Sequence, residues 1–268
     1  MKKIFILLFL IIFCLFLYGK YVEINNFNVK EYTLKNEFIK DSFKELKIVH
    51  FSDLLYKVNS NSDILKDTIT KINEQKADIL IFTGDLFYKD EKYTEKDFVY
   101  LKENLKNLEA NLFKFAIIGD NDKEFLDEYK DILYESEFTL LDNENKLIFY
   151  KDTTPINLVG LTNLDNIDDL LNTEIETNYN IVLIHKPDNL EKLSKLNINT
   201  ILSGHSLGGV INIPYYGGII KKDGSKTYIN DYYKLNNTEI YISNGLGNEK
   251  YNFRLFNTPS INVYRFDN

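Results

Sequence analysis

Five side chains able to hold a metal ion or move a proton each stand within three residues of the end of a short apolar run. Asp53 follows Lys47–Phe51, Asp85 follows Ile79–Phe82, Asp120 follows Phe115–Ile118, His185 follows Ile181–Ile184, and His205 follows Thr200–Leu202. Imidazole nitrogens and carboxylate oxygens are ligands for divalent ions from Zn²⁺ to harder ones, and both groups also serve as general acids or bases. The chain has three histidines, and two of them stand at these run ends. Its one cysteine, Cys14, lies in an apolar N-terminal segment, which excludes disulfides and thiolate metal sites. Any metal must therefore rest on His, Asp, Glu or Asn.

Other motifs give way on inspection. His50 sits inside its run, three residues before Asp53, where a packed and hydrogen-bonded ring is expected. Gly204-His205-Ser206-Leu207-Gly208 has the spacing of a nucleophile elbow, with Ser206 as nucleophile and His185 as base. That reading leaves unexplained why Gly84-Asp85 and Gly119-Asp120-Asn121-Asp122 arrive at their own run ends in order. Gly245 and Gly247 lack the third glycine of a nucleotide loop and read as a turn. Tyr215-Tyr216 fits either a cleft lining or an interfacial rim.

The elements that must position these residues are apolar strands alternating with charged amphipathic stretches. Three more runs, Asn157–Val159, Ile240–Ile242 and Ile261–Tyr264, complete the strand set. Residues 63–76, 95–110, 123–135 and 188–196 carry helical spacing, as in the stripe Ile64, Leu65, Ile69 and Ile72. This pattern predicts a layered α/β fold with helices outside, in which ligands gather beyond the carboxyl ends of the strands.

No repeat, low-complexity tract or linker follows residue 45, so residues 45–268 read as one domain and 21–44 as an extended lead-in. Residues 1–20 read as a membrane anchor or signal. The apolar run Ile4–Tyr18 follows Lys2 and Lys3, and no small-residue cleavage pattern comes after it. Phe13 stands before Cys14, where a lipid-modified cysteine needs a small neighbour. An uncleaved anchor at the cell membrane with the domain extracytoplasmic is expected, secretion being the alternative. Beyond residue 20 there are 29 basic and 40 acidic residues, a net charge of −11. So acidic a surface lacks the footprint nucleic acid requires.

Taken in order, Asp53-Leu54-Leu55, Gly84-Asp85, Gly119-Asp120-Asn121-Asp122, His185 and Gly204-His205-Ser206-Leu207-Gly208-Gly209 resemble the calcineurin-like metallophosphoesterase family. The likeness is to its membrane-anchored or secreted bacterial branch. It spans residues 45–268 and includes the closing stretches Ile242–Gly247 and Phe253–Asn257. It implies a four-layer α/β sandwich of two mixed β-sheets flanked by helices. It also implies two adjacent metals that activate a shared hydroxide. One metal would take Asp53, Asp85 and two imidazoles, but Leu55 and Leu207 stand where those imidazoles belong. The other would take Asp85, Asp120 in place of an asparagine, His185 and His205. The leaving-group histidine is replaced by Asn121, which leaves Asp122 beside it without its usual partner. The expectation is one divalent ion, Mn, Fe or Zn. Three functions follow: a weak or altered phosphoester hydrolase, an inactive pseudoenzyme that binds a phosphorylated or metal ligand, and an anchored interaction domain. The partner expected is a phosphorylated small molecule or an envelope or lipid-linked phosphoester.

Overall fold

The computed structural model describes residues 1–57, 62–165, 167–172 and 179–267. In chain order the first strands are β1 (Asn28–Lys35), β2 (Lys47–Phe51), β3 (Ile79–Phe82), β4 (Phe113–Ala116) and β5 (Thr139–Leu140). Then come β6 (Glu144–Ile148), β7 (Ile156–Leu161), β8 (Tyr179–Ile184) and β9 (Thr200–Ser203). A short hairpin, β10 (Asn212–Ile213) and β11 (Gly217–Gly218), precedes β12 (Tyr232–Leu235), β13 (Thr238–Ile242) and β14 (Ser260–Asp267). The helices are α1 (Lys2–Tyr21), α2 (Ser62–Glu74), α3 (Glu95–Leu105), α4 (Leu126–Glu135), α5 (Ile167–Leu171) and α6 (Leu190–Leu193).

One sheet has the order β1-β14-β2-β3-β4-β5 and the other β12-β13-β9-β8-β7-β6. Both are mixed: β14 runs antiparallel to β2, and β12 and β6 run antiparallel to their neighbours, while the central strands are parallel. Central strands buried on both faces must be apolar throughout, which explains runs such as Ile79–Phe82 and Ile181–Ile184. Alternate residues go to different layers. Ile48, Ile79 and Ile81 meet Leu158, Ile181 and Leu183 between the sheets. Val49, Leu80 and Phe82 pack outward on α2, α3 and α4 through Ile69, Leu101 and Tyr129. Val182 and Ile184 pack outward on α5 and α6 through Leu171, Leu190 and Leu193. The result is the four-layer sandwich of two mixed sheets that the family resemblance implies.

Residues 28–35 of the lead-in form β1, which pairs in parallel with β14 over eight residues from Asn28↔Ser260 to Lys35↔Asp267. The apolar N-terminal run is one 20-residue helix, α1, about 30 Å long at 1.5 Å per residue and so long enough to cross a hydrocarbon core. Gly19 near its end is buried against Phe253 and Arg254, where a Cβ would collide with both. Length and composition allow an anchor or a signal sequence.

Candidate metal centre

The loops after β2, β3, β4, β8 and β9 converge at one end of the sandwich. Three of the residues they deliver have left-handed backbones: Asp53 with φ 50°, Asp85 with φ 62° and His205 with φ 67°. Non-glycine residues take this conformation at a cost and tend to do so at functional sites. Gly84, with φ 87°, touches Gly119 so closely that a side chain on either would drive the two loops apart. Glycine is required there because the β3 and β4 loops must meet for their carboxylates to share one centre.

Asp85, His185 and His205 are all buried, and each offers one ligand atom, the three lying within 4.8 Å of one another. His185 Nδ1–H donates to the Thr83 carbonyl at 2.7 Å, so its Nε2 faces the centre, 3.1 Å from Asp85 Oδ2. His205 Nε2–H donates to the Asp223 carbonyl at 2.7 Å, which turns Nδ1 inward, 3.1 Å from His185 Nε2. Each imidazole is thus oriented with its other nitrogen toward the centre, the usual outer-shell arrangement of metal-binding histidines. Burial opposes charge on His185, but Asp85 beside it outweighs burial and raises its pKa to about 9. Burial, with the charges on His185 and Lys222, lowers His205 to about 3. Burial likewise opposes charge on Asp85, yet His185 and hydrogen bonding hold its carboxyl below the ordinary range. A proton on His185 therefore sits among two other ligand atoms, a position that suits a divalent cation. The donor set fits the metal that the resemblance implies.

The other half of the centre is closed. Leu55 and Leu207 are each 1% exposed and pack with Tyr88 as a small apolar cluster, with Val210 against it. Asp53 is fully buried beside this plug. Its Oδ2 accepts the His205 amide N–H at 3.0 Å, and its Oδ1 has no hydrogen-bond partner among the described residues. Burial raises the Asp53 pKa. The carboxylate thus holds the His205 loop and stands outside the group of three.

Asp120 stands outside the group of three. Its carboxylate pairs with Lys186 on one oxygen and with Lys123 at 2.9 Å on the other. Burial opposes its charge, but these two hydrogen bonds lower its pKa overall. Asn121 sits on Asp85: its backbone N–H donates to Asp85 Oδ1 at 2.8 Å and its side-chain amide to Oδ2. Asp122 has a role the sequence did not reveal. It accepts the amides of Asp85 and Leu86 at 2.8 Å, Gly119 at 2.9 Å and Phe87 at 3.2 Å, so it clamps the two loops together. Burial and the Asp85 charge raise it to about 7, against the pull of these amides. Lys222, which no motif in the sequence marks, donates to the His205 carbonyl at 2.9 Å and pairs with Glu249 at 2.8 Å. Lys186 had one legible signal, its place next to His185. The carbonyls of Thr83 and Asp223 had none, since any residue carries one.

The remaining motifs resolve simply. His50 is fully buried, with Nε2 at 2.8 Å from Thr83 Oγ1 and Nδ1 at 3.3 Å from the Tyr264 hydroxyl. Ser206 Oγ accepts the Gly208 amide at 3.1 Å and is a cap of the turn, with no base upon it. Tyr215 and Tyr216 are exposed on the β10–β11 hairpin and line no part of the centre.

The calcineurin-like phosphoesterase family model matches residues 46–209, which include every ligand position described above. The metallophosphoesterase YkuE of Bacillus subtilis is 30% identical over 253 residues, covering 92% of this chain and 88% of that protein. UDP-2,3-diacylglucosamine pyrophosphatase LpxG of Chlamydia muridarum is 24% identical, with 82% of this chain and 83% of that one aligned. Phosphodiesterase YaeI of Escherichia coli is 26% identical over 84% of each chain. The chain belongs to the calcineurin-like phosphoesterase family, whose members depend on metal, and it carries a buried Asp-His-His group suited to one.

Proposed function

We propose that this chain is a phosphoester hydrolase of low turnover. It is held at the cell membrane by α1 with its domain extracytoplasmic, and it works with a single divalent ion, Mn, Fe or Zn. The observation that carries the reading is the contrast between the two halves of one centre: three ligand atoms within 4.8 Å, beside a plug of Leu55, Tyr88 and Leu207. A bound ion would polarise a phosphoryl oxygen and lower the pKa of a water molecule. The chain itself supplies Asp85, His185 and His205 to hold that ion, and Asp53 to fix the His205 loop. Asn121 stands where a leaving-group acid is expected, and an amide is no proton donor of that kind. Losing a general acid typically costs about 10²–10⁴-fold in rate. The substrate class favoured is a lipid-linked or envelope phosphoester. The support is the apolar helix α1 and a relative named for a diacylglucosamine pyrophosphatase.

Elemental analysis and Mn²⁺ titration of metal-replete protein test the assignment. One ion per chain is expected, lost in His185→Ala and in His205→Ala, with slow chelator-sensitive hydrolysis of bis(p-nitrophenyl) phosphate. Two tightly held ions per chain would refute it. An ion without turnover on any phosphoester would leave a pseudoenzyme, and no ion at all an interaction domain.

A further inference from the structure

A cavity of about 180 Å³ opens beside the metal group, and His185 forms part of its wall. Lys123 and Lys186 line it with Asp120 between them, and Thr162, Asn163 and Asn189 supply neutral polar groups. Thr162 Oγ1 is buried and has no hydrogen-bond partner among the described residues. Both oxygens of Asp120 are taken, one by Lys186 and one by Lys123. Two ammonium groups face a single carboxylate, so the cluster keeps one positive charge in excess on a chain whose net charge is −8.

We propose that this cavity is an anion subsite, in which Lys123 and Lys186 grip a phosphoryl group of the substrate and the Asp120 carboxylate occupies their seat when no anion is bound. A carboxylate held by two lysines presents its oxygens to them much as a phosphoryl group would, and charge-assisted hydrogen bonds of this type are the stronger kind. Lysine binds phosphate as a mobile point charge on a flexible stem, so both side chains can follow an incoming anion. The lysines are part-exposed, at 52% and 36% of their side-chain surface, which leaves them reachable from solvent. The shared wall with His185 places the bound group next to the ion the centre would hold. A diphosphate could then present one phosphoryl group to each position. Asp120 thereby lowers the resting affinity, because an anion must displace it. The inference rests on the phosphoester reading only for the identity of the anion.

The test uses full-length protein with EDTA present, so that metal plays no part, and inorganic pyrophosphate as the probe, followed by calorimetry or ³¹P line width. Asp120→Asn should bind pyrophosphate at least about tenfold more tightly than the natural chain, since a competing charge is removed. Adding Lys123→Met or Lys186→Met to that variant should each reverse the gain, and Lys186→Arg should retain most of it. Asp120→Ser, judged by its near-ultraviolet circular dichroism, serves if the asparagine variant misfolds. Equal affinity in Asp120→Asn and the natural chain, or a gain that survives loss of both lysines, overturns the subsite. A parallel Mn²⁺ titration of the natural chain reads the metal centre separately. Failure there sinks the one-ion hydrolase reading and leaves the pyrophosphate result to decide the subsite alone.

Discussion

Replacing Leu55 and Leu207 together by histidine should convert the apolar plug into a metal-dependent part of the fold. Both leucines are 1% exposed and meet in one cluster with Tyr88. Removing a buried leucine forfeits about 1.5–3 kcal/mol of apolar burial, and an unmetallated imidazole left in its place adds the cost of an unpaired polar group. The two sites touch, so their effects will not add fully. A combined loss of about 4–6 kcal/mol in EDTA is the working figure, and at 2–4 °C per kcal/mol it lowers the melting temperature by roughly 10–20 °C. Saturating Mn²⁺ at about a hundred times its Kd should return near 2.7 kcal/mol for the newly built site, beyond what it gives the natural chain. Thermal melts of both proteins in EDTA and in Mn²⁺ read this difference of differences, with ion counts as a second measure. A double variant that melts within a degree or two of the natural chain in EDTA would show that the leucines are not packed as described. A folded variant that still takes only one ion would show that the loops no longer follow a two-metal course.

Adding Asn121→His to that pair should raise bis(p-nitrophenyl) phosphate turnover in Mn²⁺ by a further 10²–10⁴-fold at most, on the order of what a general acid supplies, whereas Asn121→His alone should do little. Asp122→Ala frees four buried amides and should cost about 3–5 kcal/mol in urea unfolding, along with weaker Mn²⁺ binding, because the clamp between the β3 and β4 loops goes. His50 has a folded-state pKa lowered by burial to about 3, so its ring is neutral in the fold. Its contribution to stability is complete above the unfolded value near 6.5 and is lost as pH falls below it, by up to about 1.4 kcal/mol per pH unit. His50→Gln should flatten the acid side of the urea midpoint curve. Protease added to intact cells should remove the domain while α1 stays in the membrane fraction; a protected domain contradicts the orientation.

The strands that carry the centre were legible because double-sided burial forces unbroken apolar runs, and because each ends in a polar residue at its loop. Edges were less so. The run expected at Phe115–Ile118 is paired as Phe113–Ala116, although Ile117 and Ile118 continue it as buried residues. The helix expected over 188–196 is regular only at Leu190–Leu193, after a turn that starts at Pro187. Apolar spacing marks a face and does not distinguish a helix from a run of turns. At the centre, residue types named the ligand candidates, but the direction of each side chain depends on partners distant in sequence. Asp120 illustrates this: its type fits a ligand, and Lys186, 66 positions away and brought near by the β8 loop, turns its carboxylate elsewhere. Likewise nothing in the types of Leu55 and Leu207 says whether they leave a gap or fill one. Only packing against Tyr88 decides that.

The position of the centre relative to α1 follows from a short chain of contacts. The Arg254 amide donates to the Gly19 carbonyl at 3.3 Å, and its buried guanidinium donates to the carbonyls of Asn244 at 2.7 Å and Gly247 at 2.5 Å. The Gly247 amide in turn donates to the Asp53 carbonyl at 2.6 Å, and Asp53 accepts the His205 amide. A second route starts at Glu23, whose buried carboxylate accepts the amides of Phe256 at 2.8 Å and Asn257 at 2.5 Å, while the Asn257 side chain donates to the Leu207 carbonyl. Both routes end on the loop 205–207 that carries a proposed ligand. The end of α1 and the centre are therefore joined by buried hydrogen bonds, with no free linker between them. If α1 crosses the bilayer, these contacts tie the centre to the point where the chain leaves it. Glu23→Ala should then do more than cost stability: by freeing three donors in the loop 256–258 it should lower turnover on a lipid-linked phosphoester more than on a soluble phosphodiester. Equal losses on both substrates would mean that the junction supports the fold but does not set the position of the centre.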